Sequence, residues 1–197
     1  NEGRPIAIGL EDLLAGLEKH WNDDASDLNR GRIFANELLK YQKFEKAETV
    51  FAKIVAKGGL QGDDWLALGV TQLQLEKLDK AESTLKGAQN IMKTNPFPSL
   101  HLAKVYKAKK DEAGERAAVL KAIEIEPNAV DAWGYFFQLE HEKNGEEAAI
   151  KAVEELAVGE KAGKTSAPYI AIQGFFAQEE ENREKAITWA KKAVERN

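Results

Sequence analysis

The feature that most restricts this chain is that it repeats itself every 34 residues. Trp65-x-x-Leu68-Gly69 and Trp133-x-x-Phe136-Phe137 stand 68 residues apart, twice 34. A 34-residue frame then cuts the chain into units starting at Leu28, Gly62, Pro96 and Val130. A fifth starts at Ala167, after a three-residue insertion in the loop around Gly159 to Lys164. The eighth position of the five units holds Ala35, Gly69, Ala103, Phe137 and Gly174, and the twentieth holds Ala47, Ala81, Glu115, Ala149 and Ala186. Ala and Gly are 44 of 197 residues, so four small residues of five at both positions exceed what composition supplies. A period of this length is the signature of a stacked-repeat architecture.

Inside each unit the apolar residues recur at helical spacing, as in Ile33, Phe34, Leu38 and again in Val50, Phe51, Ile54. Short polar breaks separate these blocks: Gln42-Lys43, Glu76-Lys77, Lys109 to Asp111, Asn144-Gly145 and Glu181-Asn182. The prolines (Pro5, Pro96, Pro98, Pro127, Pro168) lie near the start of the chain or between blocks, where a missing N–H does least harm. Alternating β-branched runs with hairpin turns are absent. The pattern predicts an all-α chain of about ten helices in antiparallel pairs. Two helices cross closely where a small residue of each sits at the contact. Larger residues fill around it: Phe34, Leu68, Leu102 and Phe136 at position seven, Phe51, Leu85 and Val119 at position twenty-four. Phe137 breaks the rule, and the fourth pair is expected to splay there. One pair cannot bury its own apolar face, so pairs must stack.

These residues resemble the tetratricopeptide repeat, a 34-residue helix–turn–helix unit. The second unit carries the likeness best, with Trp65, Leu68, Gly69, Ala81, Leu85 and Ala88. The third keeps Leu102, Ala103, Tyr106, Ala122 and Pro127 but has Glu115 for Ala, and the fourth keeps Trp133, Ala149 and Val153. The resemblance implies an α-solenoid with a right-handed superhelical twist, arranged as an N-terminal segment 1–27 and an array 28–61, 62–95, 96–129, 130–166 and 167–197. Residues 10–21 place Leu10, Leu13, Leu14, Leu17 and Trp21 on one stripe, where the second helix of a preceding unit would lie. That helix reads either as a cap on the first repeat or as the remnant of a longer array. At the other end, Ile187, Trp189 and Val194 are expected to stay partly uncovered, which would favour self-association.

The resemblance implies binding of a protein or peptide along the first helix of each unit, on the concave face. Carried over by position, the groove offers Arg32, Asn36 and Leu39; Asp63, Leu66, Val70 and Leu73; Leu100, His101, Lys104 and Lys107; Tyr135, Gln138 and His141; Ile172 and Phe175. For Leu66, Leu73 and Leu100 an ordinary core position is the competing reading. Lys104 and Lys107 would form a basic stripe. The chaperone-tail mode of the family needs five clamp residues. Arg32 and Asn36 match it, whereas Ala67, Phe97 and His101 do not, so the bonds that would fix a carboxylate are missing.

Other chemistries find little support. Lys plus Arg is 28 against 33 Asp plus Glu, a net −5, and neither half of the chain is basic, which argues against nucleic acid. With no cysteine there is no disulfide, thiolate nucleophile or Cys-bound metal. No apolar run is long enough to insert in a membrane. The absent Met at residue 1 and absent Cys lean towards an exported, periplasmic or membrane-tethered domain, although Ile6-Ala7-Ile8 is too short for a signal core. Asp23-Asp24-Ala25-Ser26-Asp27 has a D-D-x-x-D spacing, but between two helices it reads as a helix cap. His20, His101 and His141 have no metal-ligand spacing, and phosphate-loop, dinucleotide and G-x-S-x-G patterns are missing. The sequence therefore predicts no enzyme, no catalytic or metal site and no cofactor. It predicts an adaptor or assembly scaffold for a protein or peptide partner, the alternative being a self-associating homo-oligomer.

Overall fold

The computed structural model describes residues 9–58, 61–158 and 165–196. Pro5, the triplet 6–8 and the insertion at 159–164 lie outside the described residues. Among the described residues there are eleven α-helices, one 3-10 turn and no strand. They are α1 (Leu10–Asp23), α2 (Leu28–Lys40), α3 (Phe44–Gly58), α4 (Gly62–Gln74), α5 (Leu78–Ile91), α6 (Phe97–Lys109), α7 (Glu112–Ile125), α8 (Val130–Asn144), α9 (Glu146–Ala157), α10 (Ala167–Phe176) and α11 (Arg183–Arg196). The second helices of the units start at 44, 78, 112, 146 and 183, a spacing of 34 three times and then 37. α1 starts 34 residues before α3, in the register of a second helix.

Local chemistry sets these boundaries. Asp27 opens α2 by accepting the Asn29 N–H at 3.0 Å, and Asp111 opens α7 by accepting that of Gly114 at 2.9 Å. Asp24 turns back on Ser26, which holds its carboxyl below the usual range, so the acidic cluster forms a turn and a cap. Pro98 and Pro168 sit in the first turns of α6 and α10, where no helical bond is lost. The first helices of the first three units end alike, on a residue of left-handed backbone: Gln42 (φ 56), Glu76 (φ 56) and Lys110 (φ 60). In each case the next N–H reaches back five residues, Lys43 to Leu38 O, Lys77 to Gln72 O and Asp111 to Tyr106 O, at 2.8–2.9 Å. This is the Schellman ending, repeated in phase with the sequence. In the fourth unit Gly145 (φ 84) takes over the turn.

The chain forms two compact units, Asn1–Ile91 and Met92–Asn197. In the first, α1 to α5 pack in succession. Its core contains Phe34, Ala35 and Leu38 of α2 against Ala47, Phe51 and Ile54 of α3. Leu14 and Trp21 of α1 join that core, and the Trp21 ring lies over the bare backbone of Gly31. In the second unit α6 to α11 pack in succession, and the two first helices α8 and α10 also lie side by side. Trp133, Phe136 and Phe137 are fully buried there, and the Trp133 indole N–H donates to Pro127 O at 2.8 Å.

All five residues at position twenty are buried, Glu115 included, and so are the position-seven and position-twenty-four residues. Two expectations for the fifth unit are corrected. Gly174 is exposed, whereas Ala171 and Ile172 occupy the buried face of α10. Starting the frame at Thr165 restores for α10 the face used by α6 (Pro98, Ser99, Leu100, Leu102, Ala103). The surplus residues are therefore split: one before α10, two in the longer connection to α11. Trp189 is also buried, stacked on Tyr169 with ring centroids 6.1 Å apart, while Ile187 and Val194 remain exposed. Phe137 is fully buried and its ring packs against Phe175 and Phe176 of α10, with centroids 4.8 and 6.2 Å away. No described helix is long and apolar enough to cross a membrane.

Candidate functional site

The predicted groove residues fall on both compact units, and each unit presents its own stretch. In the first unit α2 and α4 expose Asn36 and Asp63 and leave Leu66, Val70 and Leu73 half-buried, while the half-buried Leu39 packs against the core. Arg32 is committed elsewhere. Its guanidinium makes two bonds to Asp64, Nε to Oδ1 at 2.8 Å and Nη2 to Oδ2 at 2.7 Å, and a third to Asn29 Oδ1 at 2.8 Å. Asp64 is buried in the first turn of α4, so this bidentate pair clasps consecutive first helices. Ile33, beside Arg32 and not among the predicted residues, is 55% exposed.

The second unit holds a cleft of about 630 Å³ formed by α6, α8 and α10. Its side chains lie in tiers along the parallel first helices. Phe97, Val130 and Asp131 come from the helix starts. His101, Tyr135 and Ile170 follow, one from each helix. Lys104, Gln138, Gln173 and Gln178 stand towards the helix ends. Of the predicted residues, the cleft brings together Leu100, His101, Lys104, Tyr135, Gln138 and Phe175. Ile172 belongs to the core instead, because of the register change in α10. Phe97, Val130 and Ile170 were missed, although position two of the third unit is the place of Phe97. They are 48%, 37% and 38% exposed, large apolar side chains that the fold leaves in water.

Lys107 and His141 do not line this cleft. Lys107 donates to Glu142 at 2.8 Å, and Gln138 donates to the other Glu142 oxygen at 3.1 Å. That bond holds Lys107 above its ordinary pKa and Glu142 below its own. The basic stripe expected from Lys104 and Lys107 therefore shrinks to Lys104, which is exposed and has no ion-pair partner among the described residues. His141 stacks between Phe137 and Phe175, at 5.9 and 5.0 Å, and these rings brace α8 against α10.

The electrostatics of the cleft are sparse. Burial, helped by the charge of Lys104, pushes His101 down to about 4, so its ring is neutral at pH 7. Tyr135 donates to Glu115 at 2.9 Å, and burial together with that carboxylate raises its pKa, so the phenol keeps its proton. Asp131 and Lys104 are the charged groups that remain, one at each end. A neighbouring hollow of about 430 Å³ between α7 and α8 is richer in charge, but that charge is used internally. Arg116 bonds Glu140 at 2.9 Å, and Lys143 bonds Glu112 at 2.6 Å. Among the described residues no three His, Asp or Glu side chains are grouped so as to hold a metal ion.

No protein-family model and no curated protein matches the chain. Solved structures do. The segment of MamA from Desulfovibrio magneticus RS-1 that runs from residue 41 to the end gives a TM-score of 0.64 at 15% identity, over 79% of this chain and 88% of that one. A tetratricopeptide repeat protein from Parabacteroides merdae ATCC 43184 gives 0.62 at 14% identity, over 95% and 72%. YrrB, a tetratricopeptide protein with an unusual peptide-binding site, gives 0.55 at 18% identity, over 92% of both chains. Identities this low speak for fold alone. The likeness carried by Trp65, Gly69, Ala81 and their counterparts thus holds in three dimensions: the chain has the tetratricopeptide-repeat fold, all-α and built from about five helix pairs.

Proposed function

We propose that the chain is a non-catalytic protein-interaction module, an adaptor or assembly scaffold that binds a peptide or helix against its first helices. The observation that carries this reading is the cleft of the second unit, where three large apolar side chains stay in water beside a lysine with no ion-pair partner among the described residues. An exposed apolar cluster with a few polar handles is what a binding groove requires, and three helices present it here. The fold is shared with YrrB, whose solved structure is reported for a peptide-binding site. The test is affinity purification from the native source, with cross-linking, comparing the wild type with a Lys104→Glu/Ile170→Lys double variant. Loss of the main cross-linked partner supports the groove; an unchanged partner list sinks it.

One observation favours a second reading, self-association. Val194 is 76% exposed, and Ile187 borders a shallow hollow of about 270 Å³ along α11. Light scattering after gel filtration separates the two. A strict monomer at high concentration removes self-assembly as the main role.

A further inference from the structure

Within the cleft of the second unit, the helix interiors are unusual at two places. Gly134 of α8 and Gly174 of α10 both line it, and a Cβ built on either would meet nothing within 4 Å. Three other helix glycines have a reason inside the fold: Gly69 lies under Leu85, Gly87 under Trp65 and Gly31 under Trp21, each at 2.8 Å or less from an added Cβ, whereas Gly16 of α1 is open as well but lies outside the cleft. A glycine inside a helix costs stability relative to alanine, and at Gly134 and Gly174 no packing among the described residues offsets that cost. What these two positions do provide is bare helix backbone on the floor of a cleft, open to close approach from outside.

The tiers give the cleft a polarity. Its helix-start end is apolar, with Phe97 and Val130, and Ile170 extends that surface to the glycine floor. Its helix-end side presents the Lys104 ammonium and the amides of Gln173 and Gln178. None of these three side chains has a hydrogen bond or ion pair within the described chain. The neighbouring cation Lys107 is neutralised by Glu142 and cannot compete. His101 and Tyr135, facing the middle, are uncharged at neutral pH, Glu115 is engaged by the Tyr135 hydroxyl, and Lys104 has no ion-pair partner among the described residues. Asp131 stands at the apolar end.

Building on the proposed peptide-binding role, we infer that this cleft recognises an apolar–acidic protein segment. A bulky aromatic or branched aliphatic side chain seats on the glycine floor between Phe97, Val130 and Ile170, and a neighbouring carboxylate is received by Lys104 with Gln173 and Gln178. Charge complementarity selects the acidic residue; the space above Gly134 and Gly174 selects the large one.

The experiment is selection of a random peptide display library on the intact chain, followed by affinity measurements on Gly134→Leu, Gly174→Leu and Lys104→Glu. An added Cβ at either glycine meets no atom within 4 Å and leucine is the better helix former, so both variants are expected to keep or raise the melting temperature, which is measured first. Enriched peptides are expected to pair a large apolar residue with Asp or Glu. Each glycine variant should bind them about tenfold or more weakly. Lys104→Glu should weaken them similarly and restore binding to peptides in which the acid is replaced by Lys. Enriched peptides without the acidic residue, or peptides that bind Gly174→Leu as tightly as wild type, overturn the inference while leaving a peptide-binding role elsewhere on the chain. A library that yields no binder overturns the inference and the underlying role together.

Discussion

Alanine substitution at two helix glycines should change stability in opposite directions. At Gly134 the added methyl meets nothing, so Gly134→Ala should gain the full helix-propensity difference, about 1 kcal/mol. At Gly69 the same methyl would stand 2.6 Å from Leu85 Cγ, 2.7 Å from its Cδ2 and 3.4 Å from its backbone N. Carbon atoms pack at roughly 3.5–4.0 Å, so either α4 and α5 must separate by close to an ångström or Leu85 must leave its rotamer. Leu85 is fully buried, and the clash includes its branch-point Cγ as well as a terminal methyl, so turning the methyl alone does not relieve it. Overpacking of this kind costs about 1–3 kcal/mol, and a distorted rotamer adds about 1 kcal/mol. After subtracting the propensity gain, Gly69→Ala should lose about 1–3 kcal/mol, leaving roughly 2–4 kcal/mol between two identical chemical changes. For a chain of this size that is a separation of roughly 5–15 °C in melting temperature. Urea and thermal unfolding followed by circular dichroism measure it. If Gly69→Ala stabilises as Gly134→Ala does, α4 and α5 do not approach through a glycine gap, and the packing account of position eight is wrong.

Four further outcomes are expected. Replacing Gln42, Glu76 and Lys110 by Gly, singly and together, should raise stability by about 0.5 kcal/mol per site, because the left-handed turn disfavours a Cβ more than the unfolded chain gains in entropy; urea midpoints decide. Arg32→Ala should cost about 3 kcal/mol and Asp64→Ala about 2 kcal/mol, since Asp64 is the more deeply buried partner and suffers more when left alone; a double-mutant cycle checks the order. His101 should titrate near 4 in an NMR pH series. The folded state then binds fewer protons than the unfolded one between about 6.5 and 4, so stability falls as pH drops through that window, and His101→Gln should flatten that part of the profile. Phe137→Ala should lose about 3–5 kcal/mol, whereas Val194→Ala should stay within about 0.5 kcal/mol of wild type by chemical denaturation.

The fold was legible in the sequence because its rules act at fixed positions. Small residues at positions eight and twenty, large ones at seven and twenty-four, and a turn residue every 34 positions all report backbone geometry. These are the terms a 34-residue frame measures. The frame failed only where length changed. Residues added near α10 could be divided between two connections in several ways, and Gly174 looked like the small contact residue until α10 showed Ala171 and Ile172 on its buried face. Trp189 failed for a related reason: Tyr169, which covers it, comes from that same re-registered helix.

The site was less legible because residue type does not say whether a polar group is already spent within the fold. Lys104 and Lys107 look alike on the same helix, yet Glu142 of α8 takes one and leaves the other. Arg32 looks like a groove cation and is a clasp, because Asp64 waits in the next unit. Both partners lie about one repeat further along the chain, 32 and 35 residues away. Cross-unit pairing can therefore be searched for: a cation on a first helix should be set against acids about one repeat on, and only one that finds none should be assigned to a partner. By that rule Lys104, with no described acid paired to it, is the cation of the second unit's cleft that the proposal assigns to a partner. The glycines follow the same logic with opposite sign. Gly31, Gly69 and Gly87 are explained by the side chains packed on them, whereas of the open helix glycines Gly134 and Gly174 are the two that line the cleft, with room above them for the proposed partner.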